Sequence, residues 1–582
     1  MKRYLLMMLA AMMLIPSLAL AAPSIEELQQ QIADIVEQLE DLEDRVEGPE
    51  RHTATDRIQW YGDMRATVDS VHYQDVTWNP GLKINFTDFL HKATTDPDWN
   101  TNNGAAMAAF STQFGLLNPT LAGQLPAMIG AYDPNNPLTH PGTMDAGLSA
   151  GARTYDINND LFYTTRLRLG MKAKIYDNMS FSGRLSMYKN WGDSVGTNVF
   201  DSWDAFTMDG TNGGSTTGDF VRVERAYFNW TNLADGNLYF SVGRRPSTYG
   251  SPTNYRENTK RGGTPSGHLV NFNFDGITIG YHAEDLIGLE GAAIRFCYGQ
   301  GYESEWGNGE LFNNQGDTSD THLGGFNIDL MNTDSTLIQI TAFRAMDVVD
   351  GFKGSFAFPS ELMRIFAPTI YTDAQAFTNF NFMTRYTPST VIGDINLLGI
   401  NGSYETLDGM VFFGSVGMTQ LESNGEVGLF GGMGKDAIFE AQLTENGDAI
   451  YLAPVAAEDG DDTNEGYGVY VGMQIPAPMG KFGLEYNYGS KYWTPFTQAQ
   501  DDVMGSKLAT RGHAAEAYYI FEVNRNAFIK IGGIYYDYEY SGSGSPVGKP
   551  QKVEDVKDGT AYSLLPVVDK AWDAYAQVHM KW

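Results

Sequence analysis

The chain has 582 residues, with 39 Lys or Arg against 71 Asp or Glu, a formal charge of −32 and a single cysteine, Cys297. So acidic a chain argues against nucleic acid as a partner. One cysteine excludes an internal disulfide, a cysteine-based metal cluster and covalent c-type haem sites, so no cofactor is expected.

The first residues, "MKRYLLMMLAAMMLIPSLALAA", place Lys2 and Arg3 before an apolar run and end in Ala19-Leu20-Ala21, an A-x-A cleavage site. Residues 1–21 therefore read as a secretory signal peptide, and no cysteine follows to make it a lipoprotein signal. Its removal leaves 37 basic against 71 acidic residues, a net charge near −34. No later run approaches the roughly 18 apolar residues of a spanning helix. Any membrane insertion must then use a closed barrel, the other structure that satisfies its backbone in lipid. A barrel also accounts for a length that would otherwise split into several soluble domains.

Residues 22–50 read as a coiled-coil segment. Ile25, Leu28, Ile32, Ile35, Leu39, Leu42 and Val46 alternate three and four apart, with Ser24 and Glu27 as a capping box and Gly48-Pro49 as a stop. So narrow an apolar stripe suits self-association, and its mixture of Ile and Leu is compatible with three strands, a homotrimer in the periplasm. A single amphipathic helix lying against the barrel mouth is the other reading.

From 51 to 582 the sequence alternates strand-like runs with short turns and long polar loops. In "YGVYVGMQI-PAPMG-KFGLEYNYG" one face carries Val469, Val471, Met473 and Ile475, and the opposite face Tyr470, Gly472 and Gln474. Phe482, Leu484, Tyr486 and Tyr488 continue the apolar face after the turn. A second hairpin runs from Leu161 through "YDN" to Tyr188, and "NTDS" (332–335) and "NRN" (524–526) mark further short turns. The intervals 73–160 and 422–464 are long and polar. Short turns alternating with long loops are the habit of outer-membrane barrels, whereas a soluble sandwich has no reason to sort its loop lengths. The expectation is an all-β transmembrane antiparallel barrel of about 16 strands, within a range of roughly 14 to 18. "AAIRFCYGQGYE" (292–303) and "FTNFNFMTRY" (377–386) look like strands, yet counting either alone breaks the parity. The last run, "KAWDAYAQVHMKW", sets Trp572, Ala574, Ala576, Val578, Met580 and Trp582 against Asp573, Tyr575, Gln577, His579 and Lys581. It has the apolar face and aromatic ends of a lipid-facing strand.

"VERAYFNW" (223–230), "LYFSVGRRPSTYGSPTNYREN" (238–258), "MYKNWGD" (187–193) and "LEYNYGSKYW" (484–493) resemble an uncharacterised family of proteobacterial exported proteins. That family pairs a short N-terminal coiled coil with a porin-like outer-membrane barrel, so the resemblance implies location and architecture and carries no substrate or site. The pairing of Arg225-Ala226-Tyr227 with Gly243-Arg244-Arg245 is similar to porins more broadly and implies diffusion of small hydrophilic solutes.

A pore needs a polar lumen and charged groups along it. On the polar face of the first strands stand Asp63, Arg65, Asp69, Arg166, Arg168, Lys172, Lys174 and Arg184. Apart from the two aspartates the set is basic, which favours anions; the other reading pairs these cations with lumen carboxylates that stiffen the wall. The first long loop is the expected inward-folded constriction. Arg244, Arg245, Arg256 and Arg261 form a basic stretch just past a strand, suited to a ligand-facing rim or to lipopolysaccharide phosphates, or simply packed on acidic loops. Asp459, Asp461 and Asp462 offer oxygen ligands for calcium without the spacing of a calcium loop. Enzyme chemistry finds no residues here: the nine histidines are scattered, with no H-E-x-x-H and no G-x-S-x-G. Passive diffusion is the main reading. A barrel that docks or sheathes a partner, such as an electron-transfer or surface-binding complex, is the alternative.

Overall fold

The computed structural model describes residues 57–582 apart from 88–90, 93–94, 96–97, 99–107, 109–142, 148–150, 193–220, 235, 304–318, 351, 358–381, 387–389, 429, 444–449, 457–461, 499–501 and 564–565. The expected signal peptide (1–21) and coiled coil (22–50) lie outside the described residues.

Period-two alternation builds the architecture. The barrel strands are β1 (Ile58–Trp78), β2 (Arg153–Tyr176), β3 (Met179–Asn190), β4 (Val221–Leu233), β5 (Leu238–Arg245), β6 (Phe274–His282), β7 (Ala293–Tyr302) and β8 (Thr321–Asn332). They continue as β9 (Thr336–Val349), β10 (Val391–Glu405), β11 (Val411–Ser423), β12 (Thr463–Ala477), β13 (Gly480–Gly489), β14 (Gly512–Asn524), β15 (Ala527–Tyr538) and β16 (Lys570–Lys581). Each pairs with its neighbours in sequence, and the sheet closes. The last strand meets the first in antiparallel register from Asp63↔Lys581 to Gln74↔Lys570. Closure leaves no free edge, so every strand's backbone polar groups find partners inside the sheet.

The two faces separate as the alternation requires. On β11, Val416 is 58% exposed while its neighbours Ser415 and Gly417 turn inward. On β16, Asp573, Tyr575 and His579 are buried inside, and Val578, Met580 and Trp582 stand exposed outside. The hairpin of β12 and β13 keeps the expected register, Val469↔Tyr488 and Val471↔Tyr486 on one face, Tyr470↔Asn487 on the other.

Both segments that broke the parity are accounted for. Residues 293–302 are β7, and their missing partner is β6, across a connection of ten residues. Phe382–Tyr386 pairs with Phe352–Ala357 in a small hairpin outside the barrel. Within the first long loop, Gly81–Asn85 and Thr143–Gly147 join Ala437–Leu443 and Ile450–Ala456 in a separate four-stranded sheet. Most of the first long loop, the expected constriction, lies outside the described residues; among the described residues, 246–273 between β5 and β6 folds inward. Its residues are buried at most positions from Arg245 to Asn273, with Lys260 exposed and its neighbours 258–262 half-buried.

Candidate functional site

The lumen is where the polar faces of the strands converge. On the wall of β1 to β4 the expected arginines meet carboxylates. Arg166 and Arg168 both reach Asp63, at 3.3 and 2.8 Å. Arg184 pairs with Glu224. A register shift opposite Arg184 sets Glu224 out of the ladder while Arg225 stays opposite Arg184, so both charges serve the same wall. Arg65 faces Glu257 of the inward loop at 3.9 Å. Lys172 and Lys174 sit exposed at the short-turn end, where Lys174 pairs with Asp177 at 2.9 Å. The pairing that would stiffen the wall is therefore present. Cations still outnumber anions there, since Arg65, Arg166, Arg168, Arg184, Arg222 and Arg225 stand against Asp63, Asp69, Glu224 and Glu257 among the described residues.

The basic stretch expected at the rim has a different placement. Only Arg244 faces out of the barrel, pairing with Asp275 at 3.4 Å. Arg245 turns inward to Ser241 and Thr278. Arg261 reaches Asp329 on β8 at 2.9 Å. Arg256 is fully enclosed, bonded to Glu516 of β14 at 2.6 Å and to Asp502. Arg245, Arg256 and Arg261 are thus lumen residues and not a rim, because the loop that carries them enters the barrel.

Around Arg256 lies a buried ionic cluster that alternation alone did not single out. Glu516 receives Arg256, Lys507 at 2.5 Å, Lys530 at 3.4 Å and the Tyr575 hydroxyl at 2.5 Å. Glu485 accepts from Lys507, from Tyr470 at 2.6 Å and from Tyr518 at 2.9 Å. A buried charge is tolerable only with such partners. The available signal was a lone acid amid the small and aromatic residues of "HAAEAYY" (513–519). Burial opposes ionisation of Glu257, yet Arg256 and Arg65 overcome it and hold the carboxyl at about 2. Burial pushes the His268 imidazole down to about 3, so the ring is neutral where it meets Ser415 at 3.1 Å.

The inward loop spans the lumen. Tyr249 meets Arg166 of β2 at 3.3 Å, and Thr248 meets Arg225 of β4 at 3.4 Å. Across the barrel, Thr264 accepts from Gln339 of β9 and Tyr255 from Gln474 of β12, while Asn258 accepts from Lys581 of β16 next to β1. A second loop, 490–511, joins it through reciprocal backbone bonds, Asn271 N to Phe496 O and Phe496 N to Leu269 O. Trp493 of this loop seats against wall glycines. A Cβ at Gly468, Gly489 or Gly417 would stand 2.4, 2.5 or 2.8 Å from its side chain. Leu269, Val270, Phe272, Trp493 and Phe496 form one apolar cluster with Phe343 and Leu397 of the wall. One side of the lumen is therefore packed, and the arginine wall lies on the other.

Asp459 and Asp461 fall outside the described residues. Asp462 is exposed and pairs with Lys435 at 2.6 Å. Among the described residues no three acidic, histidine or cysteine groups converge as a metal centre.

A family profile described as "Protein of unknown function (DUF3373)" matches residues 156–582. No curated protein matches the sequence. Solved structures similar to this one include the outer-membrane expressed OmpT of Vibrio cholerae, at 11% identity and TM-score 0.36, over 90% of this chain and 97% of that one. OprB of Pseudomonas putida is similar at 9% identity and TM-score 0.36, over 92% and 97%. OmpF of Salmonella typhi, solved with daunomycin, is similar at 9% identity and TM-score 0.35, over 90% and 97%.

Proposed function

The chain belongs to the family of unknown function DUF3373, and we propose that it is an outer-membrane porin through which small hydrophilic solutes or ions diffuse passively. The observation that carries this reading is the closed sixteen-strand barrel with side chains sorted apolar outside and polar inside. An exposed apolar cylinder is costly in water and at home in lipid. Its long loops face the exterior, where outer-membrane lipid and lipopolysaccharide surround it. Its short turns face the periplasm, where the 22–50 segment assembles a trimer after export.

Solutes pass between the arginine wall and the inward loop. The surplus of guanidinium groups on β1 to β4 gives that path positive potential and favours anions. Arg65, Arg166, Arg168 and Arg184 are the selectivity residues, with Lys172 and Lys174 at the periplasmic mouth. The mechanism has no chemical step and needs no cofactor.

Conductance of the purified protein in a planar lipid bilayer tests this. A small, stable conductance is expected, with a reversal potential in a salt gradient that reports anion preference. Silence at all voltages would overturn it. A second reading has its own support: the inward loops touch the wall on opposite sides and leave little free lumen. In that reading the barrel is plugged and docks or sheathes a partner protein, and a silent bilayer is what it expects.

A further inference from the structure

In one part of the lumen a buried carboxylate keeps an oxygen without a hydrogen-bond partner among the described residues. Between β1, β2, β16 and the tips of the two inward loops lies a small chamber with room for about one water-sized body. Its lining includes Arg65, Thr67, Asp69, Arg256, Asp502 and Asp573. Thr67 and Asp69 stand on β1 across from Gln577 and Tyr575, one step along the same inner face from Asp573. The lining carries three carboxylates against two guanidiniums. Both guanidiniums are engaged by other acids as well, Arg256 by Glu516 and Arg65 by Glu257. Asp573 is only 5% exposed, and its Oδ1 has no hydrogen-bond partner among the described residues. The same holds for the buried hydroxyl of Thr67. A carboxylate enclosed without a donor is strongly disfavoured. Asp63, Glu257, Glu485 and Glu516 each have a cation, whereas Asp573 must either keep its proton or take a cation from outside the chain.

We propose that the chamber binds one hard divalent cation, calcium or magnesium, held by Asp573 with Asp69 and Thr67. Oxygen-only donors suit such ions. The charge left over on the lining is negative, and Glu257 beside Arg65 increases it. Since three acids do not converge as in a closed metal site, the ion keeps part of its water shell, as magnesium commonly does. The site stands apart from the pore reading, because binding does not depend on whether the barrel conducts.

Equilibrium dialysis of the full detergent-solubilised protein against calcium alone, and against magnesium alone, tests it at physiological salt. Acidic loops give a weak background, so the comparison is between Asp573→Asn and Asp408→Asn, the latter an exposed turn acid. Wild type and Asp408→Asn are expected to retain one tightly held ion per chain, and Asp573→Asn to lose it. The ion should raise the unfolding temperature of wild type and not of Asp573→Asn. Thr67→Val, which deletes one neutral oxygen, should weaken binding roughly tenfold and serves if Asp573→Asn does not fold. Absence of a tightly held ion in wild type with both metals, or its persistence at full affinity in Asp573→Asn or in Thr67→Val, overturns the proposal.

Discussion

Ion pairs of similar geometry differ in worth according to their surroundings. Glu516 is enclosed among Arg256, Lys507 and Lys530. Glu516→Gln strands three cations in a dry site and should destabilise the barrel by roughly 3–5 kcal/mol. Arg344 also pairs with two acids, Asp394 at 2.6 Å and Glu422 at 2.8 Å, but on the outer face where it is 43% exposed. Arg344→Gln should cost under about 1 kcal/mol. Reversible denaturant unfolding in detergent compares the two, and equal losses would contradict the placement of Glu516. Trp493 gives a steric counterpart. Gly468→Ala puts a Cβ at 2.4 Å from the indole, so the ring must leave its seat. The expected loss is about 1–3 kcal/mol with red-shifted tryptophan emission, absent in a Trp493→Phe background.

The inward loop is the element on which the site depends, and its attachments titrate in one direction. His268 is held neutral, its value pushed by burial from 6.5 to about 3. Between those values the unfolded chain takes a proton that the folded chain refuses, so stability falls as pH falls. Glu257 is held ionised at about 2 against an ordinary 4.5 by Arg256 and Arg65, despite burial. The stability it contributes is complete above about 4.5 and is lost as pH drops through about 2. Both contributions have the same sign, so acid loosens the loop. Channel conductance should rise as pH is lowered from 7 towards 3, and Glu257→Gln should start from a looser state and respond less. A conductance that falls on acidification would contradict this. The loop's basic residues were legible in "RRPSTYGSPTNYREN" (244–258). Their direction was not, because a polar loop bonded inside a barrel and one bathed in water have the same composition.

At the scale of the whole molecule, the lipid-facing cylinder is the premise of the proposed function. Val416 lies on the outer face and is 58% exposed. In lipid, Val416→Arg should cost about 2–4 kcal/mol near the bilayer midplane. A barrel surrounded by water would tolerate the same change within about 0.5 kcal/mol. Folding titrations into lipid vesicles distinguish the two. Removing the inward loop, with residues 250–267 replaced by a short glycine-serine linker, should raise single-channel conductance several-fold if the loop blocks the lumen. Unchanged conductance would mean that solutes take another path.

The sequence by itself determined which residues face which way. Period two is a local property of an extended backbone, so the β12–β13 hairpin and the strand ending at Trp582 could be assigned face by face. It also determined the sorting of short turns from long loops, and with it a barrel of about 16 strands within a range of roughly 14 to 18, which the closed sheet resolved to sixteen. Only the tertiary structure decided what fills the lumen. It paired Arg166 with Asp63, carried Arg256 to Glu516 some 260 residues away, and left Asp573 Oδ1 without a hydrogen-bond partner among the described residues. Those contacts join residues remote along the chain, and they exist only because the barrel closes and two loops turn into it. Nothing within a few residues of Arg256 records that choice.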